Sequence, residues 1–273
     1  MTADGHTLLE NMLRRERVVL LLSLVAVIGL AWLWLLLGAG TGMSMLPMSG
    51  GNTMAGMADV MMQSARWTPD YAIVMFTMWW VMMAAMMLPS AAPVLLLFAR
   101  INRTERAGGR PYVPTGIFAA GYLAVWGGFS ALATVAQWGL QQLGLLSPMM
   151  ATPSRLVAAV ILIGAGIWQL TPIKRLCLRH CRSPLGFFAT SWRRDAFGAF
   201  RMGLEHGAYC LGCCWFLMAL LFVGGVMNLL WIGGLAIFVL IEKVLPLGNW
   251  VGRLAGIAAI AWGAAMLAHA ATV

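Results

Sequence analysis

The sequence of 273 residues is 61% hydrophobic and only 10% charged, a composition that excludes an ordinary soluble globular domain. Its formal net charge of +9 would suit a nucleic-acid-binding protein, but the cations stand at the ends of long apolar segments, where membrane topology accounts for them. We therefore expect an integral membrane protein whose partner is the lipid bilayer, with no nucleic acid bound.

Long uncharged segments predict membrane-spanning helices, because about 20 apolar residues cross a bilayer core of roughly 30 Å. The last segment, 229–271, is too long for one span and is interrupted by charged residues and a proline, so it predicts two helices joined by a tight turn. The predicted fold is an all-α, polytopic bundle of about seven transmembrane helices, forming a single domain over residues 1–273. The spans are predicted at residues 18–37, 71–99, 114–140, 156–173, 207–226 and, as two helices, 229–271.

Lysine and arginine are distributed unevenly between the two ends of these spans. Positively charged loops are retained in the cytoplasm. With the N-terminus inside, 16 of the 18 Lys and Arg residues fall on the cytoplasmic side, and only Arg66 and Arg155 fall outside. The basic loop 174–201 is therefore predicted to be cytoplasmic.

The external loop that follows the first span, residues 41–66, is rich in methionine. It holds seven methionines between Met43 and Met62, among Gly, Ser and Pro residues that do not form a packed core. Thioether sulfur is a soft, uncharged donor that suits Cu(I). We expect this extracytoplasmic loop to collect the ion; the alternative is an interfacial loop in which methionine happens to be common.

The second span repeats the methionine pattern in VMFTMWWVMMAAMMLP. At about 100° per residue, four methionines fall on one narrow stripe with Trp79, and Met83 and Met87 lie beside it. Such a stripe is either ordinary helix packing or, next to a Met-rich loop, an inward path for a soft ion. The candidate ligands on the stripe are Met75, Met78, Met82 and Met86.

The fifth span begins with HGAYCLGCCW, which places three of the five cysteines and one of the four histidines within ten residues. His206, Cys210 and Cys213 share one helix face at the spacing i, i+4 and i+7, and Cys214 lies to the side. A thiolate pair with an imidazole is a partial ligand shell for Cu(I) or Zn(II). Copper is the metal that we expect here, with zinc as the alternative.

Further ligands are predicted to come from the preceding basic segment, IKRLCLRHCRSP. There Cys177 and Cys181 lie one helical turn apart, His180 lies between them, and the surrounding cations favour thiolates. A cytoplasmic position argues against structural disulfides, since that compartment keeps thiols reduced. The alternative for each of these cysteines is a small, well-packed helix residue.

Ionisable residues inside or beside spans are functional candidates by default. Glu205 precedes His206, so it either orients or deprotonates the metal site, or lies at the membrane interface. Glu242 and Lys243 either pair with neighbours at a helix end or act near the cysteine cluster. His269 is expected to be interfacial.

Four stretches carry a resemblance to a known family: MWWVMMAAMMLPSAAPV, WQLTPIKRLCLRHCRSPLGFF, GLEHGAYCLGCCWFLMALLFVGGVMNLLW and IEKVLP. They closely resemble bacterial integral membrane proteins catalogued as a domain of unknown function, described as predicted metal-binding and sometimes as copper chaperones. The resemblance covers most of residues 71–271, and its Cys-x-Gly-Cys-Cys-Trp block is specific. It implies a helical protein of the bacterial inner membrane that handles copper, with membrane or periplasmic copper proteins as partners.

Two classes of function are consistent with these patterns. The first is a non-catalytic carrier, chaperone or assembly factor that takes Cu(I) at the Met-rich loop and holds it on cysteine and histidine. The second is a membrane redox enzyme that uses Cys210 and Cys213 as a C-x-x-C pair, or a metal-containing subunit of a larger membrane complex. The first is favoured, because the cysteines lack a thioredoxin-like context and are predicted on the reducing side of the membrane. The sequence has no P-loop, dinucleotide-binding signature or metal-dependent ATPase motif, so ATP-driven export by this chain alone is not expected.

Overall fold

The computed structural model describes residues 3–38, 67–107, 113–147 and 150–271, and within these ranges every regular element is helical. The all-α prediction is therefore confirmed, whereas the Met-rich loop 41–66 lies outside the described residues. The helices are α1 Ala3–Leu36, α2 Pro69–Ala107, α3 Thr115–Gln142, α4 Arg155–Leu170, α5 Pro172–Arg182, α6 Pro184–Ser191, α7 Ala196–Ala219, the single turn α8 Leu221–Gly224, α9 Leu229–Val244 and α10 Gly248–Ala271.

Five helical segments in the described ranges are long and apolar enough to cross a bilayer, or six if the bent pair α4–α5 forms one span. The predicted number of seven is not confirmed by these segments. The stretch 229–271 does form two helices, but α9 has 16 residues and rises only about 24 Å, short of a bilayer core of roughly 30 Å. The five segments are Val18–Leu36, Pro69–Glu105, Thr115–Gln142, Ala196–Gly224 and Gly248–His269.

A sharp bend separates α4 from α5, whose axes meet at 65°. Pro172 occupies the first turn of α5, and the hydroxyl of Thr171 accepts a hydrogen bond from the backbone N–H of Lys174 at 3.2 Å. Proline is favoured at a helix start and disfavours helical geometry in the residue before it, so the chain turns here. Residues 174–201, predicted as a loop, consequently form most of α5, all of α6 and the start of α7.

Glycines allow the close helix contacts on which the bundle depends. A Cβ at Gly203 of α7 would collide with the carbonyl oxygen of Phe118, and one at Gly121 of α3 would collide with that of Phe200. Small residues let membrane helices approach until their backbones touch, which maximises packing where lipid provides no hydrophobic driving force. The α3–α7 contact fixes the start of the cysteine block against α3.

The long helix α2 lies at the centre of the bundle, where it contacts α1, α3, α6 and α9. Its methionines form much of the core. By contrast, the membrane-spanning part of α1 is mostly exposed, as expected for a peripheral helix in contact with lipid chains. The methionines Met75, Met78, Met82, Met83, Met86 and Met87 each expose at most 1% of their surface.

Candidate metal site

Helix α7 carries the block of cysteines. It begins at the N-cap residue Asp195, whose carboxylate accepts the backbone N–H of Gly198 at 3.1 Å. Farther along, Cys210, Cys213 and Cys214 each expose only 1% of their surface. Cys214, expected to lie to the side, is thus as deeply buried as the other two.

The glycine inside CLGCC has a structural role, because α5 crosses α7 at this point. A Cβ on Gly212 would lie 2.9 Å from the Sγ of Cys177, and the carbonyl of Gly212 accepts the indole N–H of Trp168 at 3.2 Å. Cys181 lies near the thiols of Cys210 and Cys213. The structure therefore places the α5 cysteines beside α7, Cys177 against Gly212 and Cys181 near the α7 thiols.

The thiol of Cys210 contacts polar groups from two further helices. Lys243 of α9 donates from Nζ to Cys210 Sγ at 2.9 Å, and the hydroxyl of Tyr122 of α3 lies 3.1 Å from the same sulfur. The Lys243 ammonium also donates to Ser90 Oγ at 3.2 Å and approaches Met87 Sδ at 4.0 Å. Lys243 was expected either to pair with neighbours at a helix end or to act near the cysteine cluster, and its contacts lie at the cluster.

The contact between Lys243 and Cys210 matters for the charge of the site. Lys243 is 6% exposed, and a charged group in such a position is costly unless it is paired. A thiolate and an ammonium in contact are together neutral, which lowers the cost of burying either one. The fold thus supplies a fixed positive charge beside the thiol of Cys210.

The other two α7 thiols are engaged with the backbone of their own helix. Cys213 and Cys214 donate to the carbonyl of Cys210 at 3.0 and 3.1 Å, and Cys214 Sγ lies 4.0 Å from Met87 Sδ. In the described part of the chain, no three His, Cys, Asp or Glu side chains are already arranged as a metal centre. Since a thiol must lose its proton to bind a metal, binding here requires these side chains to leave the carbonyl and turn toward the ion.

His206 lies on the same face of α7, one turn before Cys210. Its side chain is 2% exposed, and its Nδ1 has no hydrogen-bond partner among the described residues. The ring packs against Phe187 and Tyr122, with ring centroids 5.5 and 5.9 Å apart. A buried nitrogen without a partner is uncommon and is consistent with an atom that binds a ligand.

The methionine stripe on α2 is buried along its whole length, and its two ends have different neighbours. At one end the Gln137 amide donates to Met75 Sδ at 3.4 Å and to Met150 Sδ at 3.3 Å. At the other end, Met87 rather than Met86 makes the contact with Cys214. Met75 and Met87 are twelve residues apart, about 18 Å along the helix at about 1.5 Å per residue.

Glu242 forms a buried ion pair next to the cluster. Lys174 Nζ donates to its two carboxylate oxygens at 2.6 and 2.9 Å, and the Gln169 amide donates at 3.0 Å. Both charged side chains are 3% exposed. Glu242 therefore takes the ion-pair role, while the next residue, Lys243, reaches the thiols.

Three other ionisable residues considered in the sequence analysis make their contacts outside the cluster or lie exposed. Glu205 pairs with Arg193 at 3.4 Å and with Arg201 at 3.2 Å, so it does not orient His206. His180 stacks on Tyr209 with ring centroids 4.1 Å apart, where α5 and α7 meet. His269 is exposed near the end of α10.

Sequence analysis missed Tyr122 and Ser90, and it gave Lys174 only the role of a cation that favours thiolates on α5. Tyrosine and serine in apolar helices carry no periodic pattern that distinguishes a site from packing. Lys174 was counted only as one of several cations in a basic segment. Its burial is visible only once α5 is packed against α9.

A family profile described as PpoB2, copper chaperone, matches residues 76–266. The matched segment begins in α2 and ends in α10, so it includes every cysteine of the chain and all the contacts of the cluster. No curated protein and no solved structure matches the chain.

Proposed function

The chain belongs to the PpoB2 copper chaperone family, and we propose that it is a membrane carrier, chaperone or assembly factor for Cu(I). The observation that carries this proposal is the convergence of α5, α7 and the Met-lined helix α2 on one buried group of sulfur atoms. Thiolate and thioether sulfur are the ligands that Cu(I) prefers. Copper is here the cargo of the protein.

We assign the principal ligands to Cys210 and Cys213, with Cys181 completing the set from α5. Cys214 and the thioether of Met87 lie within reach on the other side. His206 offers a buried nitrogen for Zn(II), which binds mixed nitrogen and sulfur ligands. The sulfur-rich surroundings favour copper.

Lys243 gives this site a suitable charge. A Cu(I) ion held by the thiolates of Cys210, Cys213 and Cys181 carries two net negative charges, which are costly to bury. The ammonium of Lys243, 2.9 Å from Cys210 Sγ, neutralises one of them. This buried positive charge favours an occupied site with thiolate ligands.

The Met-rich loop and the methionine stripe complete the proposed route. Cu(I) enters at the extracytoplasmic loop 41–66, passes along Met75, Met78, Met82 and Met86, and reaches the cysteines beside Met87. Other membrane or periplasmic copper proteins supply or receive the ion. With the N-terminus inside, the route runs inward across the bacterial inner membrane.

Replacing the seven methionines between Met43 and Met62 by leucine is expected to slow copper uptake by cells at limiting copper. Leucine keeps the hydrophobic character but removes the sulfur ligands. Copper bound by the purified variant at saturating metal should match wild type, because the cysteines are unchanged. Unaltered uptake kinetics at limiting copper would show that the loop does not collect the ion.

The proposed orientation predicts which engineered cysteines can be labelled from outside the cell. Arg194 is an exposed residue of the segment 174–201, and Arg155 is an exposed residue at the start of α4. A membrane-impermeant maleimide should label Arg155→Cys in intact cells, above the wild-type background. It should label Arg194→Cys only after permeabilisation; the reverse pattern would invert the topology.

X-ray absorption of the purified wild-type protein tests the metal assignment directly. Protein from copper-supplied cells is expected to show copper with a first shell dominated by sulfur. A zinc edge with sulfur at about 2.3 Å would assign the site to zinc instead. Metal-free protein after gentle purification would contradict the proposed function.

A further inference from the structure

A basic cavity lies between the end of α5 and the start of α10, separate from the cysteine cluster. Its volume is about 520 Å³, within the range of small-molecule sites. No cysteine or methionine contributes to its lining. The cavity is lined by Arg175, Arg179, Arg182, Ser183, Asn249 and Arg253.

Two of the arginines are held in place by other groups. Arg182 donates from Nη2 to the carbonyls of Leu245 and Pro246 at 2.7 and 3.2 Å, which ties α5 to the turn before α10. The guanidinium of Arg253 lies 5.3 Å from the ring centre of Trp250. The cavity wall is therefore partly preorganised.

The charge of this cavity is not balanced by the described residues. Among them, no carboxylate forms an ion pair with Arg175, Arg179, Arg182 or Arg253; the ion pairs found there involve other residues. Like charges facing one cavity repel each other unless an anion lies between them. Asn249 lies in the first turn of α10, where the helix dipole also favours an anion.

Exposed apolar side chains lie close in the chain to the residues that line the cavity. Leu176 of α5 exposes 55% of its surface, Leu247 before α10 exposes 66%, and Trp250 exposes 62%. In a membrane protein, tryptophan and arginine at the ends of spans mark the level of the lipid headgroups. The surface around the cavity is therefore suited to the acyl chains of a lipid whose headgroup lies inside.

We propose that the cavity binds the phosphate group of an anionic ligand, of the kind carried by an anionic phospholipid such as phosphatidylglycerol. Guanidinium groups match the oxygens of a phosphate in bidentate geometry. Basic pockets between membrane helices are a recognised way to hold anionic headgroups. The site is independent of the proposed copper function.

Native mass spectrometry of the full chain in detergent, with phosphatidylglycerol or phosphatidylcholine added, tests the proposal. Wild-type protein binds phosphatidylglycerol in preference to phosphatidylcholine. The double variant Arg179→Gln with Arg253→Gln weakens that binding by roughly fivefold for each arginine, or about 25-fold. The matched control, Arg155→Gln with Arg201→Gln, removes the same charge from exposed arginines outside the cavity and leaves the preference intact.

A parallel binding measurement with inorganic phosphate distinguishes a lipid headgroup from a soluble phosphate compound as the ligand of the cavity. If inorganic phosphate binds to wild type and control but not to the cavity variant, and phosphatidylglycerol shows no preference, the site belongs to a soluble phosphate compound. All four arginines that are changed in the two double variants are exposed, so the thermal unfolding of both variants should match that of wild type. Equal lipid and phosphate binding by the two double variants would overturn the proposal.

Discussion

Protein carrying both Cys210→Ser and Cys213→Ser is expected to bind Cu(I) at least about 100-fold more weakly than wild type. Changes to groups that merely support a metal ligand cost roughly 10- to 100-fold in affinity, and this variant removes two direct ligands. Serine preserves the size and hydrogen-bonding ability of each side chain. Copper content after purification, and competition with a chromogenic Cu(I) chelator, measure the loss.

The matched control is Cys177→Ser, which changes the half-buried cysteine that lies against Gly212. It should retain nearly all the copper, whereas Cys181→Ser should lose much of it, because Cys181 lies near both α7 thiols and Cys177 faces Gly212. Cys214→Ser should lower the affinity for Cu(I) less than the double variant Cys210→Ser with Cys213→Ser does. Full copper content in the double variant, at an unchanged elution volume, would contradict the metal assignment. A metal-free protein with a reversible disulfide between Cys210 and Cys213 would favour the redox enzyme.

Lys174→Met is expected to lower the free energy of unfolding by about 3–5 kcal/mol, because it leaves the Glu242 carboxylate buried without its cation. The pair is 3% exposed on both sides, so water does not replace the lost ammonium. Thermal or denaturant unfolding in a fixed detergent measures the change. The double variant Lys174→Met with Glu242→Gln should lose much less, since it buries no unpaired charge.

The control for this experiment is the more exposed ion pair between Arg201 and Glu205. Its arginine is 54% exposed and 3.2 Å from the carboxylate, which is 31% exposed, and exposed pairs contribute about 0–1 kcal/mol. Arg201→Met should therefore leave the unfolding transition almost unchanged. Similar losses in Lys174→Met and Arg201→Met would show that burial does not decide the strength of the first pair.

The end of α9 connects these two predictions. Glu242 and Lys243 are consecutive, so their side chains leave the helix in different directions, one toward α4 and α5 and the other toward α7 and α2. The pair between Lys174 and Glu242 thereby helps to hold α9 at the rotation that brings Lys243 to Cys210. We expect Lys174→Met to weaken copper binding as well, by a smaller factor than the loss of the two cysteines.

The sequence by itself determined the features that depend on local periodicity and composition. Long apolar segments require helices in a bilayer, because no water is available to satisfy the backbone, and every regular element of the described residues is a helix. The spacing of His206, Cys210 and Cys213 placed them on one face of α7, and all three are buried. The sequence also pointed to the cysteine pair on α5 as a possible source of further ligands, and α5 packs against α7 at Gly212.

Only the tertiary structure decided which distant residues complete the site. The contacts of Cys210 with Lys243 and Tyr122 join residues 33 and 88 positions apart in the chain, and helical periodicity does not specify such pairs. They depend on how each helix is rotated and shifted against its neighbours, which close glycine contacts and buried ion pairs fix. The same packing places Met87, and not a methionine of the predicted stripe, in contact with Cys214. It also pairs Glu242 with Lys174 and brings four arginines to the lining of one cavity.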